Sequence, residues 1–80
     1  MARRNIIGAR VRLARKAARP LITQADLAAR LQIQGLQLER ATISKIETGY
    51  RIVTDIEISM IAKELGVSIN WLFGEGEHKR

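Results

Sequence analysis

Cysteine is absent from the 80 residues and histidine occurs once, at His78 in a polar C-terminal run. Neither disulfides nor thiolate metal sites can form, and no metal or other cofactor is expected. Aromatics are scarce: one Trp, one Tyr and one Phe do not make a stacking platform for single-stranded bases, so Trp71 is read as core. No apolar run approaches the roughly 20 residues of a membrane span, and Met1 to Asn5 has no signal-peptide segment, so the expectation is a cytoplasmic protein with no membrane partner. A Gly-x-x-x-x-Gly-Lys phosphate loop and a nucleophile–base pair are also missing, and no enzyme is expected. Strand alternation, repeats and low-complexity stretches do not occur.

What the chain does have is positive charge. Fourteen Lys and Arg against eight Asp and Glu give a formal charge of +6 and a pI near 10.8. Clustered cations gain free energy by displacing counterions from phosphates, so a polyanion is the natural partner. RNA and anionic membrane surfaces satisfy the same argument. The length suits one domain over residues 1–80, with its core at 5–73 between a basic N-terminal arm and a polar tail.

Apolar periodicity predicts five helices, three of them short. Ile7, Val11, Ala14 and Ala18 recur at helical steps from Asn5 to Ala18, with Arg10, Arg12, Arg15, Lys16 and Arg19 around them, and Pro20 stops the run. A Thr-x-x-Asp start at Thr23–Asp26 opens a second helix with Leu27, Ala28 and Leu31 inward, ended near Gln34 by Gly35. The following turn is apolar, with Leu36 and Leu38 tucked in and Gln37 and Glu39 in water. The third helix covers Arg40 to Thr48 with Ile43 and Ile46 inward and Gly49 behind it; its outward positions are Arg40, Ala41, Ser44 and Lys45. Thr54 and Glu57 form a capping box for the fourth helix, whose Ile58, Ile61, Ala62 and Leu65 face inward until Gly66. Ser68 caps a short segment, Ile69 to Phe73, that brings Trp71 and Leu72 to the core.

Two short helices joined by a turn, the second apolar inside and small, basic and polar outside, suit a DNA major groove about 12 Å wide. Arg or Lys pairs there with guanine, Ser or Thr with several base edges, and Ala or a Thr methyl with the thymine methyl.

The string Gln24-Ala25-Asp26-Leu27-Ala28-Ala29-Arg30-Leu31, followed by Ala41-Thr42-Ile43-Ser44-Lys45-Ile46-Glu47-Thr48-Gly49, resembles the Cro/repressor-type (XRE) helix-turn-helix family. The likeness continues through Gly8, Val11, Ala14 and Arg15 and through Ala62 to Leu72. It implies an all-α, compact five-helix, lambda-repressor-like DNA-binding domain of bacterial or phage type. It further implies a transcriptional regulator, acting as a repressor and binding double-stranded DNA as a homodimer on a roughly palindromic operator. Gln24 aligns with a phosphate-contacting position at a helix start, Arg40, Ala41, Thr42, Ser44 and Lys45 with the reading surface, and Tyr50 and Arg51 with backbone contacts. Arg15 and Glu47 match a structural ion pair. Departures from the pattern are a lengthened helix-turn-helix turn, a longer connection through Arg19, Pro20, Leu21 and Ile22, and Glu39 where a Ser-type cap is usual.

Gly35 and Gly49 are read as backbone devices. The arm Ala2-Arg3-Arg4-Asn5 is read as a frayed, solubilising terminus ahead of a minor-groove contact. Met60, Ile52, Val53 and Ile56 exceed what one core needs, and an exposed patch of that sort suits a dimer interface; the resemblance implies self-association through the fourth and fifth helices. Two alternatives stay open: an antitoxin of a toxin–antitoxin pair, and a protein-interaction adaptor that has kept the fold.

Overall fold

In a computed structural model, residues 3–75 are described, and among them the chain forms α1 (Gly8–Ala17), α2 (Gln24–Ile33), α3 (Arg40–Glu47), α4 (Asp55–Leu65) and α5 (Ile69–Leu72), with no strand. Ala2 of the arm, and His78 with the tail beyond Glu75, lie outside the described residues. The inward-facing residues converge on one core in which Ile7, Val11, Leu27, Leu31, Ile43, Ile46, Ile61 and Leu72 are almost fully buried. Each such side chain stabilises the fold by about 1.5–3 kcal/mol relative to exposure. Trp71 is buried as expected, and Ala18, Ala28, Leu36, Ile58 and Leu65 pack at the edge of the core. α1 and α2 both rest on α3 and on α4, and α5 closes against α1 and α4. α3 is therefore wedged between α1 and α2, with one side left to solvent.

Local chemistry sets most of the boundaries. Thr23 Oγ1 accepts the Asp26 amide at 2.9 Å while Asp26 accepts the Thr23 amide at 3.0 Å; these bonds, the backbone amide's first, hold the Asp26 carboxyl below its ordinary pKa. α2 and α3 end alike. Gly35 (φ 95°) and Gly49 (φ 86°) occupy the left-handed region, and the Leu36 amide returns to the Leu31 carbonyl as the Tyr50 amide returns to that of Lys45, 2.9 Å each. These are Schellman motifs, closed at little steric cost by glycine. In the lengthened turn, residues 34–39, Leu38 is buried and Leu36 half-buried, with Gln37 and Glu39 exposed.

The start of the chain differs from expectation. α1 begins at Gly8 because the Asn5 side chain acts as a cap, its Oδ1 accepting from the amides of Ile7 (3.0 Å) and Gly8 (2.9 Å). Its Nδ2 donates to the carbonyls of Ile46 (3.1 Å) and Arg51 (2.8 Å), and the Arg4 amide donates to the Gly49 carbonyl at 2.8 Å. Arg4 and Asn5 are thus docked on the end of α3, not frayed. α1 ends at Ala17, before Pro20 demands it, because the chain doubles back: the Ile22 amide donates to the Arg15 carbonyl (3.2 Å) and Arg15 Nη1 to the Ile22 carbonyl (3.0 Å). Arg10 lies 4.8 Å from the Trp71 ring centre and donates to the Trp71 carbonyl, tying α1 to α5.

Glu57 does more than close the α4 capping box with Thr54. It is 8% exposed and pairs in bidentate fashion with Arg51, at 2.8 and 3.0 Å. The Arg51 guanidinium, followed by the capping amide, holds the Glu57 carboxyl below its ordinary value of 4.5, against the opposing effect of burial. Glu57 therefore contributes stability that is present above that value and lost as pH falls through the lower folded-state one. Glu57→Gln is expected to lower the melting temperature at neutral pH and to flatten its decline on acidification, leaving the part of the slope due to Asp26. Parallel slopes for the two proteins, followed by circular dichroism, would show the pair to be screened by solvent.

Candidate nucleic-acid interface

α3 turns by about 100° per residue, so Arg40, Ala41, Ser44 and Lys45 fall within an arc of about 140°, opposite Ile43 and Ile46. Arg40, Ala41 and Lys45 are exposed, Ser44 is partly so, and Ile43 and Ile46 are buried. The packing that buries one face turns the other outward. Thr42 lies at the edge of the arc and is half-buried.

Two shallow grooves flank this face. Toward the start of α3, Gln24, Arg40 and Ser44 meet Arg12 and Lys16 of α1 across an open surface. Toward its end, Thr42, Lys45, Tyr50 and Arg51 share a groove with Arg4. Sequence reasoning gave Arg12 and Lys16 only to a basic outer face of α1. Their four-residue spacing, with the inward Arg15 between them, signals one face, but only the fold sets that face beside α3. Sequence reasoning gives Arg4 only to an arm read as frayed ahead of a minor-groove contact, and its place beside α3 depends on the docking of that arm.

The ion pair between Arg15 and Glu47 supports the surface from beneath. Nε and Nη2 of Arg15 donate to the two Glu47 oxygens at 2.6 and 2.8 Å, with both side chains under a tenth exposed. This bond, reinforced by the carboxylate's charge and opposed by burial, raises the Arg15 pKa. Glu47 also accepts from Gln24 Nε2 at 3.1 Å. An amide nitrogen carries two hydrogens, so Glu47 fixes the Gln24 side chain and leaves its second donor at the start of α2, where unpaired backbone amides also favour an anion. The guanidinium of Arg51, expected at a position of DNA-backbone contacts, pairs with Glu57, and its pKa is raised chiefly by that hydrogen bond. Tyr50 is exposed and carries no such commitment.

Among the described residues, no group of three or more His, Cys, Asp or Glu is placed to hold a metal, and no helix is long and apolar enough to cross a membrane. No curated protein and no solved structure matches the chain at a significant level. A family model described as helix-turn-helix (HTH_3) matches residues 11–72, from α1 through the last residue of α5. With most of its length matched and, among the described residues, an outward-facing α3 held against α1 and α2, the chain belongs to this XRE-type helix-turn-helix family of DNA-binding regulators.

Proposed function

We propose that the protein is a sequence-specific repressor that binds double-stranded DNA as a homodimer, on a roughly palindromic operator, and acts by occupying it. The observation that carries this reading is the exposed arc of α3, where Arg40, Ala41, Ser44 and Lys45 lie between two cation-bearing grooves. Inserted in the major groove, Arg40 and Lys45 pair with guanine, Ser44 and Thr42 bond base edges, and Ala41 meets a thymine methyl. Gln24 and Tyr50 hold the phosphates on either side, joined by Arg12, Lys16 and Arg4, while Arg51 chiefly braces α4. Such contacts set register, and the base contacts set sequence. Cytoplasmic placement follows from where operator DNA lies.

The dimer reading rests on Ile52 and Ile56, 64% and 67% exposed before and within the first turn of α4, with Ile69 exposed at the start of α5 and Phe73 just past its end. Apolar surface held in water suits a self-complementary two-fold contact. Val53 and Met60 lean on the core and contribute less than their composition suggested.

Selection of bound duplexes from a random pool at roughly physiological salt tests the whole reading, because purely electrostatic binding weakens there. A recovered motif with dyad symmetry is the expected result; binding that vanishes with salt and yields no motif overturns it and favours a partner-binding adaptor. On a selected operator, Lys45→Ala is expected to lose about 1–3 kcal/mol of discrimination at particular base pairs, whereas Gln24→Ala weakens all sequences alike. Equal, sequence-independent losses in fluorescence anisotropy titrations would remove Lys45 from the reading surface.

A further inference from the structure

We infer that Glu39 reads a base: its carboxylate accepts a hydrogen bond from the N4 amino group of a cytosine in the major groove. This rests on the DNA-reading role proposed for α3 and adds to it one residue and one base. Glu39 is the N-cap of α3, with extended backbone (φ −78°, ψ 162°) and an exposed side chain. It lines the same open surface as Gln24, Arg40, Ala41 and Ser44. In a helix-turn-helix, it is the N-terminal end of the second helix that approaches base edges.

The side chain is uncommitted. The N-caps of α2, α4 and α5, namely Thr23, Thr54 and Ser68, each accept an amide of their own first turn, and Asn5 does so for α1. Glu39 makes no such bond and enters no ion pair among the described residues. A hydroxyl at this position would stabilise α3, and Glu39 forgoes that.

Charge decides what the carboxylate can face. Its nearest charged neighbour on this surface is the cation Arg40, which also lines the adjoining groove with Arg12 and Lys16. Next to phosphates, an anion weakens every site equally, and only a donor compensates it. The major groove offers two donors, the amino groups of cytosine and adenine. Adenine sets the acceptor N7 next to its amino group, which suits a side chain with both donor and acceptor, whereas ionised Glu accepts only. Guanine and thymine present acceptors and repel it. Cytosine is the base left, and rejection of the other three is the larger part of the specificity.

Parallel selections from a random duplex pool with the wild-type chain, Glu39→Gln and Glu39→Thr test the inference. The wild-type motif is expected to contain, in each half-site, one position at which cytosine is preferred about tenfold. Glu39→Gln should lose that preference or shift it toward adenine and bind unrelated duplexes several-fold more tightly, with the rest of the motif unchanged. Glu39→Thr should lose the same preference while its melting temperature rises, so that misfolding is not the cause. An unchanged motif with uniformly tighter binding in Glu39→Gln would mean that the carboxylate meets phosphates alone, and overturns the inference while leaving the reader intact. A wild-type chain that selects no motif overturns the reader and this inference with it.

Discussion

Gly8→Ala is expected to destabilise the protein by up to about 2 kcal/mol net, although alanine is the better helix former. In an open helix interior the exchange gains about 1 kcal/mol, and Gly8 lies within α1 with no left-handed backbone to preserve. Its surroundings reverse the sign. A methyl carbon there would lie 2.3 Å from the Ile46 carbonyl oxygen and 2.8 Å from that of Glu47, where ordinary contact begins at 3.4 Å. Both are backbone atoms in the last turn of α3, so no side chain can swing aside, and α1 and α3 must part by about 1 Å. Overpacking of that kind costs about 1–3 kcal/mol and occasionally more, enough to cancel the propensity gain and leave a net loss. The movement also displaces α3 from the grooves flanking it, so DNA affinity should fall together with stability. Gly35→Ala is the control, because nothing lies within 4 Å of its added carbon and only the left-handed backbone, φ 95°, opposes it; its cost should be about 1–2 kcal/mol. Urea denaturation of the two variants separates the causes. A Gly8→Ala protein as stable as the wild type would mean that α1 and α3 cross less closely than the structure has them.

The contrast between these glycines marks what was legible in the sequence. Gly35 and Gly49 announce themselves by following runs of helical periodicity, as Thr23 and Thr54 do by preceding them with an acidic residue three positions on; such signals are local and carry their own mechanism. The core was legible for the same reason, because Leu27 and Leu31, or Ile43 and Ile46, share a helix face whatever the helix packs against. Contacts between distant segments were not. Nothing in Asn5-Ile6-Ile7-Gly8 says that the Asn5 amide bonds the carbonyls of Ile46 and Arg51, or that Gly8 is the point where α1 crosses α3. Arg10 on Trp71 spans 61 residues. Ile22, buried at 5%, sits in a connection with no periodicity to betray it.

The candidate interface divides along the same line. The outward face of α3 follows from helical geometry once Ile43 and Ile46 are placed inward. Which cations stand beside that face depends on tertiary structure: Arg12, Lys16 and Arg4 are added, and Arg51, while still lining the groove, is paired with Glu57. The Arg15–Glu47 pair was reachable only through family resemblance, since the two residues are 32 apart.

That pair carries the other large expected effect. Glu47→Ala should cost about 3–5 kcal/mol, because it leaves the Arg15 guanidinium charged and buried with only the Ile22 carbonyl for company. Arg15 cannot escape by losing its proton, since a guanidinium stays protonated in proteins. For a domain this small, each kcal/mol corresponds to about 4–8 °C in melting temperature, and total stability is only about 5–15 kcal/mol, so a fall of about 12 °C or more is expected. Replacing both partners by apolar residues, Arg15→Met with Glu47→Leu, should recover most of that loss, as removing both charges removes the penalty of burying either. DNA affinity should not recover in step. Without the Glu47 carboxylate, Gln24 loses the acceptor that fixes its side chain at the start of α2, and a donor that must be ordered at each encounter binds phosphate less well than one already in place. The double variant is thus expected to melt near the wild type yet bind every duplex more weakly. Full recovery of both properties would reduce Glu47 to a structural partner of Arg15, with no part in presenting Gln24. A loss below about 1 kcal/mol in Glu47→Ala, as for solvent-exposed ion pairs, would mean that water reaches the pair in solution.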